Sequence, residues 1–137
     1  MNHQIEVKYL GNLRTQSTHL KSNDTIITDA PVDNMGKGEA FSPTDLFASS
    51  LASCMITIMG ISSKTSGIDI GEVKADVKKV MGTNPRRISE VYINFQFNKT
   101  FSQKEKNIIE RAAKHCPVGK SINANIKEVI SFKYKDE

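Results

Sequence analysis

Two cysteines, Cys54 and Cys116, are the residues of this chain with the clearest capacity for chemistry. Two thiols are too few for a secreted disulfide scaffold, and they lack the close pairing of a zinc site. A redox role or a packing role is therefore expected for them. If the thiols meet in a reducing compartment, their disulfide would be transient, as in a catalytic or redox-sensing pair.

The residues around Cys54 favour a packing role for its side chain over a chemical one. Phe47, Leu51 and Ile58 share the helical face of Cys54, and a cysteine in such company most often acts as a small, inert apolar side chain. Cys116 precedes Pro117 at the position of a helix N-cap. Backbone amides and the helix dipole stabilise a thiolate there. From the residues alone, Cys116 is open to a reactive role and to a packing role.

The elements that must position these thiols indicate an α+β fold. A central helix is predicted over about 43–65, because Ser42 and Pro43 form a strong helix start. Its uncharged stretch carries six hydroxyl side chains, which favours a buried helix over a membrane span. Alternating apolar residues predict strands within about 4–29, a hairpin over about 72–98 and a last strand over about 127–134. A second helix is predicted over about 103–115, and a short one over 121–125.

The composition is that of one globular domain spanning 1–137, with 38% hydrophobic residues and a net charge of +4. The basic residues are mixed with acidic ones and lack a stacking or helix-turn-helix motif, so no nucleic-acid partner is expected. No secretory signal is recognisable, which predicts a cytoplasmic location. The three histidines show no metal-ligand spacing, and no dinucleotide or phosphate-binding motif occurs, so neither a metal nor an organic cofactor is expected.

Two segments together resemble a known family. FSPTDLFASSLASC, which ends at Cys54 and is followed by MITIMG, and HCPVGKS, which contains Cys116, are similar to the signature regions of the osmotically inducible protein C-like (OsmC-like) family. This family includes the organic hydroperoxide resistance proteins. The resemblance extends over essentially the whole chain, because the order of strands and helices also fits.

The resemblance implies an intertwined α+β homodimer, with long central helices packed against an antiparallel sheet and active sites at the dimer interface. It implies thiol peroxidase activity, with Cys54 as the peroxidatic thiol that becomes a sulfenic acid. Cys116 would resolve that acid as a Cys54–Cys116 disulfide, which an external dithiol reductant then opens. It also implies that Arg14 helps to activate the Cys54 thiolate.

One position departs from the better-known peroxidases of the family, which carry an acidic residue directly after the proline that starts the helix. Thr44 occupies that position here, and the acid follows at Asp45. One helical residue rotates a side chain by about 100°. Asp45 would therefore cap the helix, and Glu39 becomes an alternative partner for Arg14.

The leading hypothesis is thus a cytoplasmic, homodimeric, cysteine-based peroxidase that reduces organic hydroperoxides or hydrogen peroxide. The apolar side chains near Cys54 would line a substrate pocket or form a core equally well: Phe47, Leu51, Met55, Ile58 and Met59. The alternative is a non-catalytic protein that binds a small apolar ligand at the dimer interface, and Thr44 favours it. A nucleic-acid-binding module is a third hypothesis, based only on the basic second half.

Overall fold

A computed structural model describes residues 2–137 of the chain. It contains two compact units, and the boundary between Phe47 and Ala48 falls inside the central helix. The first unit contains an antiparallel meander in the order β1-β2-β3. Its strands are β1 (Ile5–Gly11), β2 (Arg14–His19) and β3 (Asp24–Asp29).

The turn between β1 and β2 consists of Asn12 and Leu13, which both have a positive φ, at 55° and 63°. Two such residues form the tight turn whose twist matches that of antiparallel strands. After β3 the chain makes a 3-10 turn at Val32–Asn34 and then enters the first helix. The first unit therefore contains the strands predicted within about 4–29.

Helix α1 (Pro43–Thr65) begins in the first unit and continues through the second. Six residues on one face are buried: Ala48, Leu51, Ala52, Met55, Met59 and Ser63. By length and composition the helix could cross a membrane, with a mean hydropathy of 1.6 over its most apolar window. The core helix of a soluble protein meets the same criterion, so this is weak evidence for a membrane span.

The second unit continues with β4 (Val73–Gly82), β5 (Arg87–Phe97), α2 (Gln103–Ala113), α3 (Pro117–Ser121) and β6 (Lys127–Lys133). Its sheet has the order β4-β5-β6. Alternate residues of β5 are buried in the core, namely Val91, Ile93, Phe95 and Phe97, which is the pattern expected of a strand with one covered face. Ile109, Ala112 and Ala113 of α2 are buried in the same core.

The α+β class is confirmed, and so is the order of elements around the central helix. Two details differ from prediction. The short helix is Pro117–Ser121 and does not extend to residue 125, because Pro117 starts it and Ile122 already has extended backbone. Strand β6 pairs with β5 in parallel, whereas an antiparallel sheet was expected. The connection from β5 contains α2 and α3, and a long helical connection of this kind returns a strand in parallel.

Candidate functional site

Cys116 stands at the N-cap of α3, as its position before Pro117 predicts. Its backbone is extended, and its Sγ accepts a hydrogen bond from the Gly119 N–H at 3.2 Å. The residue is buried, with 1% of its surface exposed. The capping bond therefore fixes the direction of this thiol within the core.

Cys54 lies in the middle of α1 and is partly exposed. Its thiol is close enough to Cys116 to help raise the pKa of the Cys116 thiol. Both cysteines are free thiols. The fold of the second unit thus places together two thiols that are far apart in the sequence, and they form what we call the thiol pair.

The pKa of the Cys116 thiol is raised, chiefly because burial disfavours the thiolate. The hydrogen bond from the Gly119 N–H opposes this shift, while Cys54 and the Glu128 carboxylate add to it. Cys116 therefore holds its proton more firmly than an ordinary cysteine. A thiol of this kind suits the second, resolving step of a dithiol reaction better than the first attack on an oxidant.

Glu128 is a residue of this site that the motifs did not identify. Its side chain shares one face of β6 with Ile130 and Phe132, and those two pack against the core. In the alternating pattern of β6, Glu128 occupies a position where an apolar residue is expected. This break in the pattern is the feature of the sequence that could have identified Glu128 as a site residue. Glu128 is exposed as a residue, yet partial burial of its carboxyl group raises its pKa, and the nearby charge of Lys120 lowers that pKa in part.

A cavity of about 300 Å³ lies beside these groups. Its lining combines three apolar side chains with two charged residues: Met55, Ala113, Ile130, Lys114 and Glu128. Of the five residues predicted to line a substrate pocket, Met55 contributes to this cavity. Leu51 and Met59 are wholly buried in the core, whereas Phe47 and Ile58 are half-buried.

In the first unit, Arg14 forms a cluster with Asp29 and Glu39. Arg14 Nη2 lies 3.1 Å from Asp29 Oδ2 and 3.2 Å from Glu39 Oε1, and Arg14 Nε donates to Asp29 Oδ1 at 3.4 Å. The Glu39 N–H also donates to Asp29 Oδ2, at 2.9 Å. Asp29 is fully buried. Its pKa is lowered, first by the hydrogen bond from Arg14 and then by the one from the Glu39 backbone.

Of the two acids predicted as partners for Arg14, the structure pairs it with Glu39. Asp45 caps α1, since its Oδ2 accepts from the Ser42 N–H at 2.9 Å and its own N–H donates to Ser42 Oγ at 3.0 Å. Asp29 was missed. The pairing register of β2 and β3 would have identified Asp29, because Arg14 and Asp29 are direct partners across these two strands.

Among residues 2–137, no group of three or more His, Cys, Asp or Glu side chains is arranged to hold a metal ion. The second unit brings together two neighbouring thiols, a carboxylate near the buried one, and a cavity that this carboxylate lines.

Comparison with known proteins places this fold and its cysteines in a family. The model of the OsmC-like protein family matches residues 36–131, which include both cysteines and Glu128. This chain belongs to the OsmC-like family. A search of curated protein sequences found no significant match.

Solved structures agree with this assignment. A protein from Psychrobacter arcticus 273-4, provisionally described as an osmotic stress induced and detoxification response protein, is 52% identical over 96% of each chain, with a TM-score of 0.92. An OsmC-like protein from Mycoplasma pneumoniae is 18% identical over 98% of this chain and 97% of its own, with a TM-score of 0.81. An organic hydroperoxide resistance protein from Elizabethkingia anophelis is 17% identical over 98% of both chains, with a TM-score of 0.76. At these lower identities the likeness concerns the fold.

Proposed function

We propose that this OsmC-like protein is a thiol peroxidase that reduces hydroperoxides through Cys54 and Cys116. The observation that carries the proposal is the thiol pair itself: a partly exposed cysteine beside a buried one, both of them free thiols. Accessibility suits Cys54 to meet the peroxide. Burial and a firmly held proton suit Cys116 to act second.

The reaction balances with these two groups and one hydroperoxide. The Cys54 thiolate attacks the terminal peroxide oxygen, the O–O bond breaks, and the alkoxide leaves as an alcohol after taking up a proton. Cys54 is then a sulfenic acid. Cys116 attacks the Cys54 sulfur, the S–O bond breaks, and water leaves as the disulfide forms. An external dithiol reductant returns both thiols by exchange, and no bound cofactor takes part.

The family supports the choice of substrate class. Relatives with this fold include proteins named for organic hydroperoxide resistance. The cavity that Glu128 lines has apolar side chains from Met55, Ala113 and Ile130, which would accommodate the carbon chain of an organic hydroperoxide.

Single-turnover oxidation tests this function. One equivalent of cumene hydroperoxide should convert the reduced protein to a form lighter by two hydrogens, with Cys54 linked to Cys116. In Cys54→Ser the peroxide should remain unconsumed. In Cys116→Ser, the matched control, the peroxide should still be consumed and Cys54 should gain one oxygen. Equal peroxide consumption by Cys54→Ser and the unmodified protein would disprove the proposal. An unmodified protein whose mass does not change after peroxide would favour a non-catalytic ligand-binding protein.

Three further features of the proposal stay predictions. The assistance of Arg14 to Cys54 is tested by the rate of peroxide consumption in Arg14→Ala. A homodimer is supported by the exposed apolar side chains of Ile5, Val7 and Tyr9 along one face of β1, and light scattering measures it. A reducing, cytoplasmic location is what a reversible disulfide requires.

A further inference from the structure

Glu128 and Cys116 border one small space above Gly119. A Cβ atom built on Gly119 would lie 3.0 Å from Cys116 Sγ and 3.9 Å from Glu128 Oε1. Because position 119 carries no side chain, that space stays open between the thiol and the carboxylate. The thiol sulfur and the carboxylate oxygen therefore both lie within 3.9 Å of one common point, which is the scale on which a bridging water relays a proton.

The resolving step of the proposed reaction needs such a group. Cys116 must lose its proton to attack sulfur, yet burial and the negative charge of Glu128 both favour the protonated thiol. Bulk water reaches a residue with 1% exposure poorly. A nearby base would remove the proton during the attack itself, so that no free buried thiolate has to form.

We propose that Glu128 is the proton acceptor for Cys116 when Cys116 closes the disulfide with Cys54. This inference rests on the proposed function and adds a third group to its mechanism. As the S–S bond forms, the thiol proton passes to the Glu128 carboxylate and the S–O bond of the Cys54 sulfenic acid breaks. The departing hydroxide takes up that proton and leaves as water, so Glu128 is a carboxylate again at the end.

The charged and titratable groups around Glu128 agree with this role. The positive charge of Lys120 in α3 partly stabilises the Glu128 carboxylate. Lys114, directly after α2, lines the same cavity as Glu128. The Cys116 thiol is also near enough to Glu128 for the carboxylate to raise the pKa of that thiol. Burial moves the pKa of Glu128 above its ordinary value and hence closer to neutral pH, which is where a general base works best.

The experiment measures disulfide closure in Glu128→Gln. At high peroxide the rate of disulfide formation becomes independent of peroxide and equals the rate of closure. We expect closure at pH 7 to be about 10²-fold slower in Glu128→Gln. Glu90→Gln, on the neighbouring strand β5, is the matched control and should close at the normal rate.

The direction of the effect separates this role from a passive one. If Glu128 acted only by its charge, its removal would let Cys116 ionise more readily, and closure would become faster. A closure rate in Glu128→Gln that equals or exceeds that of the unmodified protein at pH 7 would therefore overturn the proposal.

The pH profile of the unmodified protein gives a second test that needs no variant. Closure should accelerate through the acidic range just above the ordinary pKa of a glutamate and be level at neutral pH. In Glu128→Gln it should accelerate only in the alkaline range, where the thiol itself ionises. A closure rate in the unmodified protein that rises only in the alkaline range would also refute the role of Glu128.

An aryl disulfide in place of peroxide keeps this inference distinct from the peroxidase proposal. One equivalent of 5,5′-dithiobis(2-nitrobenzoate) forms a mixed disulfide with the accessible Cys54, and attack by Cys116 then releases a second coloured thiolate. This release should show the same dependence on Glu128. If peroxide fails to oxidise Cys54 while this dependence is found, the peroxidase proposal fails and Glu128 remains the proton acceptor of Cys116. Release that is independent of Glu128 overturns the inference.

Discussion

Gly119 keeps open the space that Cys116 and Glu128 share, and alanine at this position would close it. The new Cβ would lie 3.0 Å from Cys116 Sγ, tighter than nine in ten real contacts, and 3.6 Å from Leu51 Cδ1, an ordinary contact. Gly119 is not among the glycines with a positive φ, so its backbone conformation accepts alanine. The cost of the substitution therefore comes from packing against the thiol.

The expected loss of stability is small. Extra volume in a packed core lowers the free energy of unfolding by about 1–3 kcal/mol. Replacing a helical glycine with alanine raises it by about 0.8–1 kcal/mol. The net loss is about 0–2 kcal/mol, or a drop in Tm of up to about 8 °C for a chain of this size. The variant should therefore remain folded at the temperature of the assay.

The expected loss of rate is larger than this loss of stability suggests. The added methyl pushes Cys116 Sγ away from its capping N–H and occupies the route to Glu128. We expect closure of the Cys54–Cys116 disulfide to slow on the order of tenfold, because small displacements of a reacting atom are costly. The aryl disulfide assay measures closure, and thermal unfolding monitored by circular dichroism measures stability.

Gly60→Ala is the matched control for this substitution. Gly60 is also helical, but a Cβ built on it would meet no heavy atom within 4 Å. The control should gain up to about 1 kcal/mol from helix propensity and close its disulfide at the normal rate. Closure in Gly119→Ala within a factor of about two of the unmodified protein would refute the reasoning about the shared space.

Two further predictions concern the support of the second unit. Ser102→Ala should lower the free energy of unfolding by about 1 kcal/mol in urea titrations, since Ser102 and Glu105 cap α2 reciprocally at 3.2 Å and 2.8 Å; unchanged stability would contradict this. Tyr134 donates to Glu110 at 2.9 Å, and burial first, then this bond, raises the pKa of Tyr134. The native state thus keeps the phenol proton to higher pH than the unfolded state does, so stability should fall as pH rises above the ordinary value of 10.0. Tyr134→Phe should weaken that alkaline loss in urea titrations at increasing pH, and an equally steep loss would argue against it.

Features of this chain that depend on a few neighbouring residues could be predicted from the sequence. The helix start at Ser42 and Pro43 and the alternation of β5 depend on neighbouring residues, and both agree with the structure. The N-cap position of Cys116 could be predicted for the same reason, because a proline after a capping residue specifies it. Both predicted bounds of the short helix, 121 and 125, were wrong, since the helix is Pro117–Ser121 and helix boundaries are poorly specified by local composition.

The partners of Arg14 could not be predicted from local sequence. Glu39 was one of two candidates and could not be chosen from the sequence, since the choice depends on where the loop after β3 runs. Asp29 pairs with Arg14 through strand register, which a single strand does not specify. The direction of β6 likewise depends on how α2 and α3 pack.

By itself the sequence determined the α+β class, the order of elements, the two cysteines and, through its motifs, the family. Only the tertiary structure decided that the Cys54 and Cys116 side chains meet and that Glu128 stands beside the buried one. The physical reason is the separation along the chain over which each interaction acts. Caps, turns and alternation act over a few residues, whereas the meeting of α1, α3 and β6 follows from burying a common core, which no local pattern encodes.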